Sequence, residues 1–180
     1  MKSLIYILIF SPFFILSGCN DSSRQESGDV QSSETDVKGY EDSSKEKTVI
    51  NPGKAMGELK FGMSRDETEK ILGKPQRTMG GAFEYLNQGM AVLFDKNSQV
   101  VALMFGDMNK PDSPLVKKCH YRTDKGIGMG SSLDDIRKAY GEPASVQNMG
   151  NLKRVKYPSL GVTFSLQDGK IIHMQFRSLE

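Results

Sequence analysis

The chain has 180 residues, with 24 Lys and Arg against 22 Asp and Glu, two Cys, two His and no Trp. Charge so evenly balanced and interspersed excludes a nucleic-acid binder of the basic-patch kind, and two cysteines exclude a scaffold stapled by several disulfides. The length supports one ordinary domain with its own hydrophobic core.

Residues 1–18 read as a signal peptide. Lys2 supplies a positive start, and LIYILIFSPFFIL is an apolar run too short for a comfortable membrane span. The run ends in Leu16-Ser17-Gly18-Cys19, which resembles the lipobox of bacterial lipoproteins. That resemblance implies a diacylglyceryl group on the Cys19 sulfur and cleavage that makes Cys19 the first residue. A two-chain anchor holds far better than one chain, since each buried methylene is worth about 0.8 kcal/mol. The expected location is therefore the cell membrane, lipid-anchored on its extracytoplasmic side. Residues 19–56 form the lipidated N-terminus and a tether. They are rich in Ser, Asp, Glu and Lys with Tyr40 as the only aromatic, a composition that cannot offset its ordering entropy. With Cys19 acylated, Cys119 is the only thiol left, which precludes an intramolecular disulfide.

From Gly57 onward the chain writes one phrase twice. GMSRDETEKILGKP (62–75) returns without a gap as GSSLDDIRKAYGEP (130–143). In the first copy Ser64 is suited to cap a helix, Glu67 to complete a capping box, and Asp66 and Glu67 to complement the helix dipole. Gly73 ends the helix in a left-handed cap and Pro75 forbids continuation. Ser132, Asp134, Asp135, Gly141 and Pro143 repeat the punctuation. Strands are predicted near 82–86, 90–94 and 100–105, and again near 152–157, 162–166 and 171–176, where apolar residues alternate. Asp168-Gly169 is a hairpin signal. The expected class is α+β: two tandem helix-plus-antiparallel-meander repeats, with the helices packed on one face of the sheet. The predicted organisation is a first repeat over 57–107, a connector over 108–125 and a second repeat over 126–180.

The phrase Gly62-Met63-Ser64 with Glu67, then Leu72-Gly73 with Pro75, an aromatic residue and a hairpin, resembles the repeats of small bacterial lipoproteins of the SmpA/OmlA type. It is also similar to the tandem units of the beta-lactamase inhibitory protein. The resemblance spans roughly 57–107 and 126–177. It implies a helical segment on an antiparallel sheet and a role in scaffolding or binding other proteins. Contact residues of those families lie outside the shared phrase, so no residue role carries over.

Motifs for chemistry are weak. His120 and His173 fall in different units, with no metal-ligand spacing, and neither a metal nor a cofactor is expected. Cys119-His120 lacks a third partner, and adjacent side chains in extended chain point apart. KGIGMGSS (125–132) fits neither a phosphate loop nor a dinucleotide fingerprint, and Ser44-Lys-Glu-Lys47 matches S-x-x-K only by count. The acids beside each cap are better explained by capping than by acid–base work.

The informative contrast lies between the two sheets. In the second unit one face is apolar and the other carries Thr163, Ser165, Gln167, His173, Gln175 and Arg177, with Ile171 the exception. In the first unit Met90, Val92, Phe94, Val101, Leu103 and Phe105 are predicted to share one face, and Ala91, Leu93, Val100, Ala102 and Met104 the other. A sheet apolar on both sides must be covered on both or must bind something. Those five residues are the candidate binding face, and the connector or tether is the alternative cover. The expected function is a binding module for a protein or envelope component. A wall-acting enzyme with an unrecognised site, or a purely structural envelope protein, is the alternative.

Overall fold

The computed structural model describes residues 48–179. The predicted signal peptide, Cys19 and most of the tether lie outside the described residues. Among the described residues twelve strands form two sheets, accompanied by three short α-helices. Strands β1 (Val49–Asn51), β2 (Ala55–Met56), β3 (Leu59–Lys60) and β8 (Arg122–Thr123) make the smaller sheet, in the order β3-β2-β1-β8 with β1 and β8 parallel. The larger sheet has eight antiparallel strands. One half is β4 (Arg77–Met79), β5 (Ala82–Tyr85), β6 (Met90–Phe94) and β7 (Val100–Gly106), and the other is β9 (Ser145–Met149), β10 (Leu152–Tyr157), β11 (Val162–Gln167) and β12 (Lys170–Arg177). Their order, β4-β5-β6-β7-β12-β11-β10-β9, makes the last strand of each half meet at the centre.

The expected α+β class, two tandem helix-plus-antiparallel-meander repeats, is overturned. The described residues are mostly sheet, 43% strand and 18% helical, and the strands run into shared sheets. The reason lies in the two central strands. Leu103 and Phe105 on β7, and Met174 and Phe176 on β12, point into one core, and Phe105 meets Phe176 edge to face at 5.8 Å. Left apart, each strand would expose an apolar edge with an unpaired ladder; paired, they close that liability. The helices α1 (Arg65–Leu72) and α3 (Leu133–Tyr140) are eight residues each and bury one residue apiece, Thr68 and Ile136. Helices of that length are marginal alone and depend on the sheet.

Both helix starts are built by a capping box. Ser64 Oγ accepts from the Glu67 amide at 3.3 Å while Glu67 Oε2 accepts from the Ser64 amide at 2.8 Å, and Ser132 and Asp135 repeat the pair. At the other end Gly73 and Gly141 both have φ 78° but ψ near 180°, a conformation open essentially to glycine and different from the left-handed helical cap expected. Their carbonyls accept from Tyr85 Oη at 3.1 Å and Tyr157 Oη at 2.7 Å, which ties each helix end to the sheet.

Three boundaries shift. Ile50 and Met56 are buried core residues, so the fold begins inside the segment expected to be tether. The connector 108–125 holds α2 (Pro114–Lys118) and strand β8. Each half also has a fourth strand, β4 or β9, whose exposed residues show no strong apolar alternation.

A bulge changes the assignment of faces. Phe94 pairs with Val100 and Leu93 with Ala102, which leaves Val101 as the extra residue. In the second half Leu166 pairs with Ile171 and Ser165 with His173, which leaves Ile172 extra. The cause is the loop leading into each helix. Val100 donates to Met63 O at 2.8 Å and accepts from the Gly62 amide at 2.8 Å; Ile171 does the same with Ser131 O and the Gly130 amide, at 2.9 Å each. Backbone groups committed to that loop are withdrawn from the ladder, and one extra residue absorbs the difference. Val100 and Ile171 therefore face the core, while Val101 is 38% exposed.

Candidate functional site

The eight-stranded sheet has an inner face buried by the helices and the smaller sheet, and an outer face on the other side. The register places outer-face residues in rows across the strands. One row runs Gln147, Arg154, Ser165, His173 and Gly106. The next runs Lys156, Thr163, Gln175, Met104 and Ala91, and then Glu84 paired with Arg77. The third runs Arg177, Ala102, Leu93, Ala82 and Met79. The outer face is thus apolar and small over β4–β7 and polar and cationic over β10–β12.

Four of the five residues of the expected binding face lie on the outer face. Ala91, Leu93 and Met104 are half-buried on the outer face, and Ala102 lies there but is 2% exposed beside Arg177. Val100 does not belong: it is 1% exposed in the core, turned there by the bulge. Met79, 58% exposed at the sheet edge, extends the apolar part and was missed because its strand carries no alternation signal.

Over the cationic half lies a groove of about 830 Å³. Its floor is Thr163, Ser165, His173 and Gln175, and its walls include Arg154, Lys156, Arg177, Met108 and Leu179. His173 is 3% exposed, and neither ring nitrogen has a hydrogen-bond partner; Ser165 Oγ is likewise buried and unpartnered. Burial first and the Arg154 charge second push the His173 pKa down to about 4, against the opposing pull of Asp107. The imidazole is therefore neutral at physiological pH, a donor and an acceptor held unsatisfied at the floor.

The cations around it have few partners. Arg154 donates from Nη2 only to Met108 Sδ at 3.9 Å, a weak contact. With its amide oxygen toward the guanidinium, Gln175 accepts from Arg177 Nε and Nη2 at 3.0 Å each. Among the described residues the ion pairs are Arg77–Glu84, Arg137–Asp134 and Arg137–Glu142, none of them in the groove. Arg154, Lys156 and Arg177 thus line one groove, and among the described residues that line it none is a carboxylate. Their signal in the sequence was alternation: Arg154 and Lys156 stand two apart on β10, in register with the polar residues of β11 and β12.

Cys119 and His120 do not form a site. The thiol is buried and pushed up to about 11 by burial, so it stays protonated, whereas His120 is exposed on the other side of the chain. Among the described residues no three His, Cys, Asp or Glu side chains could together hold a metal ion, and no helix is long and apolar enough to cross a membrane.

No protein-family model and no curated protein matches the chain. Two solved structures are similar. One is a DUF4309 family protein, YjgB, from Bacillus subtilis subsp. subtilis str. 168, at 13% identity and TM-score 0.42, over 64% of this chain and 78% of that one. The other is an extracellular protein containing a SCP domain from Bacillus anthracis str. Ames, at 8% identity and TM-score 0.43, over 66% of this chain and 44% of that one.

Proposed function

We propose that the chain is a membrane-anchored extracytoplasmic lipoprotein that acts as a binding module, holding a protein or envelope component against the outer face of its eight-stranded sheet. The observation that carries this reading is the groove over β10–β12, where Arg154, Lys156 and Arg177 surround Thr163 and Gln175. Beside the groove, Leu93, Ala91 and Met104 offer apolar contact, which suits a binding surface with a polar part and an apolar part. The anchor reading rests on the apolar run that ends in Leu16-Ser17-Gly18-Cys19.

Two experiments test it. A photo-crosslinking residue placed at Leu93 or Thr163 in the full chain, in cells, gives a discrete adduct that the same residue at the exposed Lys138 on α3 does not. Adducts of equal yield at all three positions refute an outer-face site. For the anchor, Cys19→Ser releases the protein from the membrane fraction, and mass spectrometry of the unaltered chain finds acyl groups on Cys19. Unchanged partitioning without an acyl group refutes lipidation.

A further inference from the structure

We propose that β9, at one edge of the eight-stranded sheet, is a self-association edge: a second copy of the chain adds its own β9 antiparallel, across a two-fold axis centred on Gln147. The proposal is independent of the groove and of what the outer face holds.

The two edges of the sheet are built differently, and the internal duplication makes one a control for the other. The hairpins β4–β5 and β9–β10 have the same base. The Gln76 amide donates to Glu84 O at 3.0 Å and the Ala144 amide to Lys156 O at 3.1 Å, each acceptor standing just before the tyrosine that bonds a helix-end glycine. From that base the first hairpin pairs three residues a side, Arg77–Met79 with Ala82–Glu84. The second pairs five, Ser145–Met149 with Leu152–Lys156. The lengthening comes with a loss of charge. β4 carries Arg77, ion-paired to Glu84 across the hairpin. β9 reads Ser-Val-Gln-Asn-Met, without a charge or a proline, and its five pairs with β10 run without a register shift. Short length, charge, proline and bulges are the devices that keep sheet edges from pairing. β4 has the first two and β9 has none. Val146 is 40% exposed and Met149 47%, so the unguarded strand also presents apolar side chains.

The backbone fixes what covers such an edge. An edge strand turns N–H and C=O groups outward at strand spacing, and another strand matches them. A strand without charge offers nothing to a charged partner strand, whereas it complements itself. Run antiparallel about a two-fold, the same five residues meet with no like charges opposed. Centring on Gln147 is the register that pairs all five. It sets Gln147 against its own counterpart, amide donor to amide acceptor, Val146 against Asn148 and Ser145 against Met149. The axis stands normal to the sheet, so the outer face of one copy continues into that of the other. Arg154, paired with Gln147 on β10, is then three strand spacings from its counterpart, about 14 Å, beyond the screening length of about 8 Å in physiological salt. Five residues a side bury far less than the roughly 800 Å² per partner of a standard stable interface, so the dimer forms and parts with concentration.

The test is sedimentation velocity of the full chain in neutral detergent micelles, from dilute to concentrated. The chain is expected to pass from monomer to dimer as concentration rises. Gln147→Lys and Gln147→Glu each oppose like charges across the axis and hold the chain monomeric. Mixed in equal amounts they oppose unlike charges and restore the dimer. Thr78→Glu on β4 and Lys138→Glu on α3 leave the dimer unchanged. Restoration on mixing also shows that neither Gln147 variant has lost its fold, which circular-dichroism melts check for each chain. A chain that stays monomeric at every concentration overturns the proposal. A dimer that persists in both Gln147 variants, or that Thr78→Glu abolishes, places the contact elsewhere and overturns it too. Two monomeric variants whose mixture stays monomeric overturn pairing about Gln147.

Discussion

His173 makes stability depend on pH in a window that few other groups share. Its folded pKa is near 4 against an ordinary 6.5, because burial excludes the charged imidazolium and Arg154 repels it more than Asp107 attracts it. Between those two values the unfolded chain binds a proton that the folded chain refuses. Stability therefore falls as pH drops through about 6.5 and levels off below about 4. The full difference amounts to about 3 kcal/mol, of which about 2 kcal/mol is lost between about pH 7 and about pH 5. The capping acids act lower. Glu67 and Asp135 are held below their ordinary values of 4.5 and 3.8 by the Ser64 and Ser132 amides, so their contribution is present above those values and lost as pH falls through the folded ones. The window from about pH 6.5 to about pH 5 thus isolates His173. His173→Leu removes both the titration and the unsatisfied nitrogens. Urea unfolding of the two proteins across this window, followed by circular dichroism, is expected to show a sloping stability for the native chain and a flat one for the variant. A native chain that is flat, or a variant that keeps the slope, refutes a neutral His173 buried at the groove floor.

Ser64→Ala and Ser132→Ala should each lower stability by about 0.5–2 kcal/mol in urea melts, and Gly73→Val and Gly141→Val by about 1–3 kcal/mol through backbone strain. Tyr85→Phe and Tyr157→Phe should each cost about 1 kcal/mol, the net worth of the hydrogen bond to the helix-end carbonyl, read as a shift in melting temperature. Val100→Glu should unfold the domain or cost more than about 4 kcal/mol, while Leu93→Lys, on the outer face, should cost less than about 1 kcal/mol. Circular-dichroism melts that rank these two the other way would refute the bulge-corrected faces.

Much of the local structure was legible in the residues. The Ser64 and Ser132 capping boxes and six of the strands follow from near-neighbour chemistry, in which a hydroxyl, an acid or an alternation acts within a few residues of itself. The contrast between an apolar and a polar outer face was also visible, because β6, β7, β11 and β12 write it at period two. Three things were not. The bulges at Val101 and Ile172 moved Val100 into the core, and they arise from hydrogen bonds to Met63 and Ser131, residues distant in the chain. The pairing of β7 with β12 turned two expected units into one sheet, since an apolar edge finds whichever edge lies nearest.

The groove was the third. The sequence by itself determined that Arg154, Lys156, His173 and Arg177 stand on strands, and that Ser165 and Gln175 alternate with apolar neighbours. Only the tertiary structure decided that these side chains share one surface, because that depends on the register between β10, β11 and β12. Spacing along one strand is covalent and short-ranged, whereas register across strands is set by the core, where Val155, Phe164 and Met174 settle into the same buried layer.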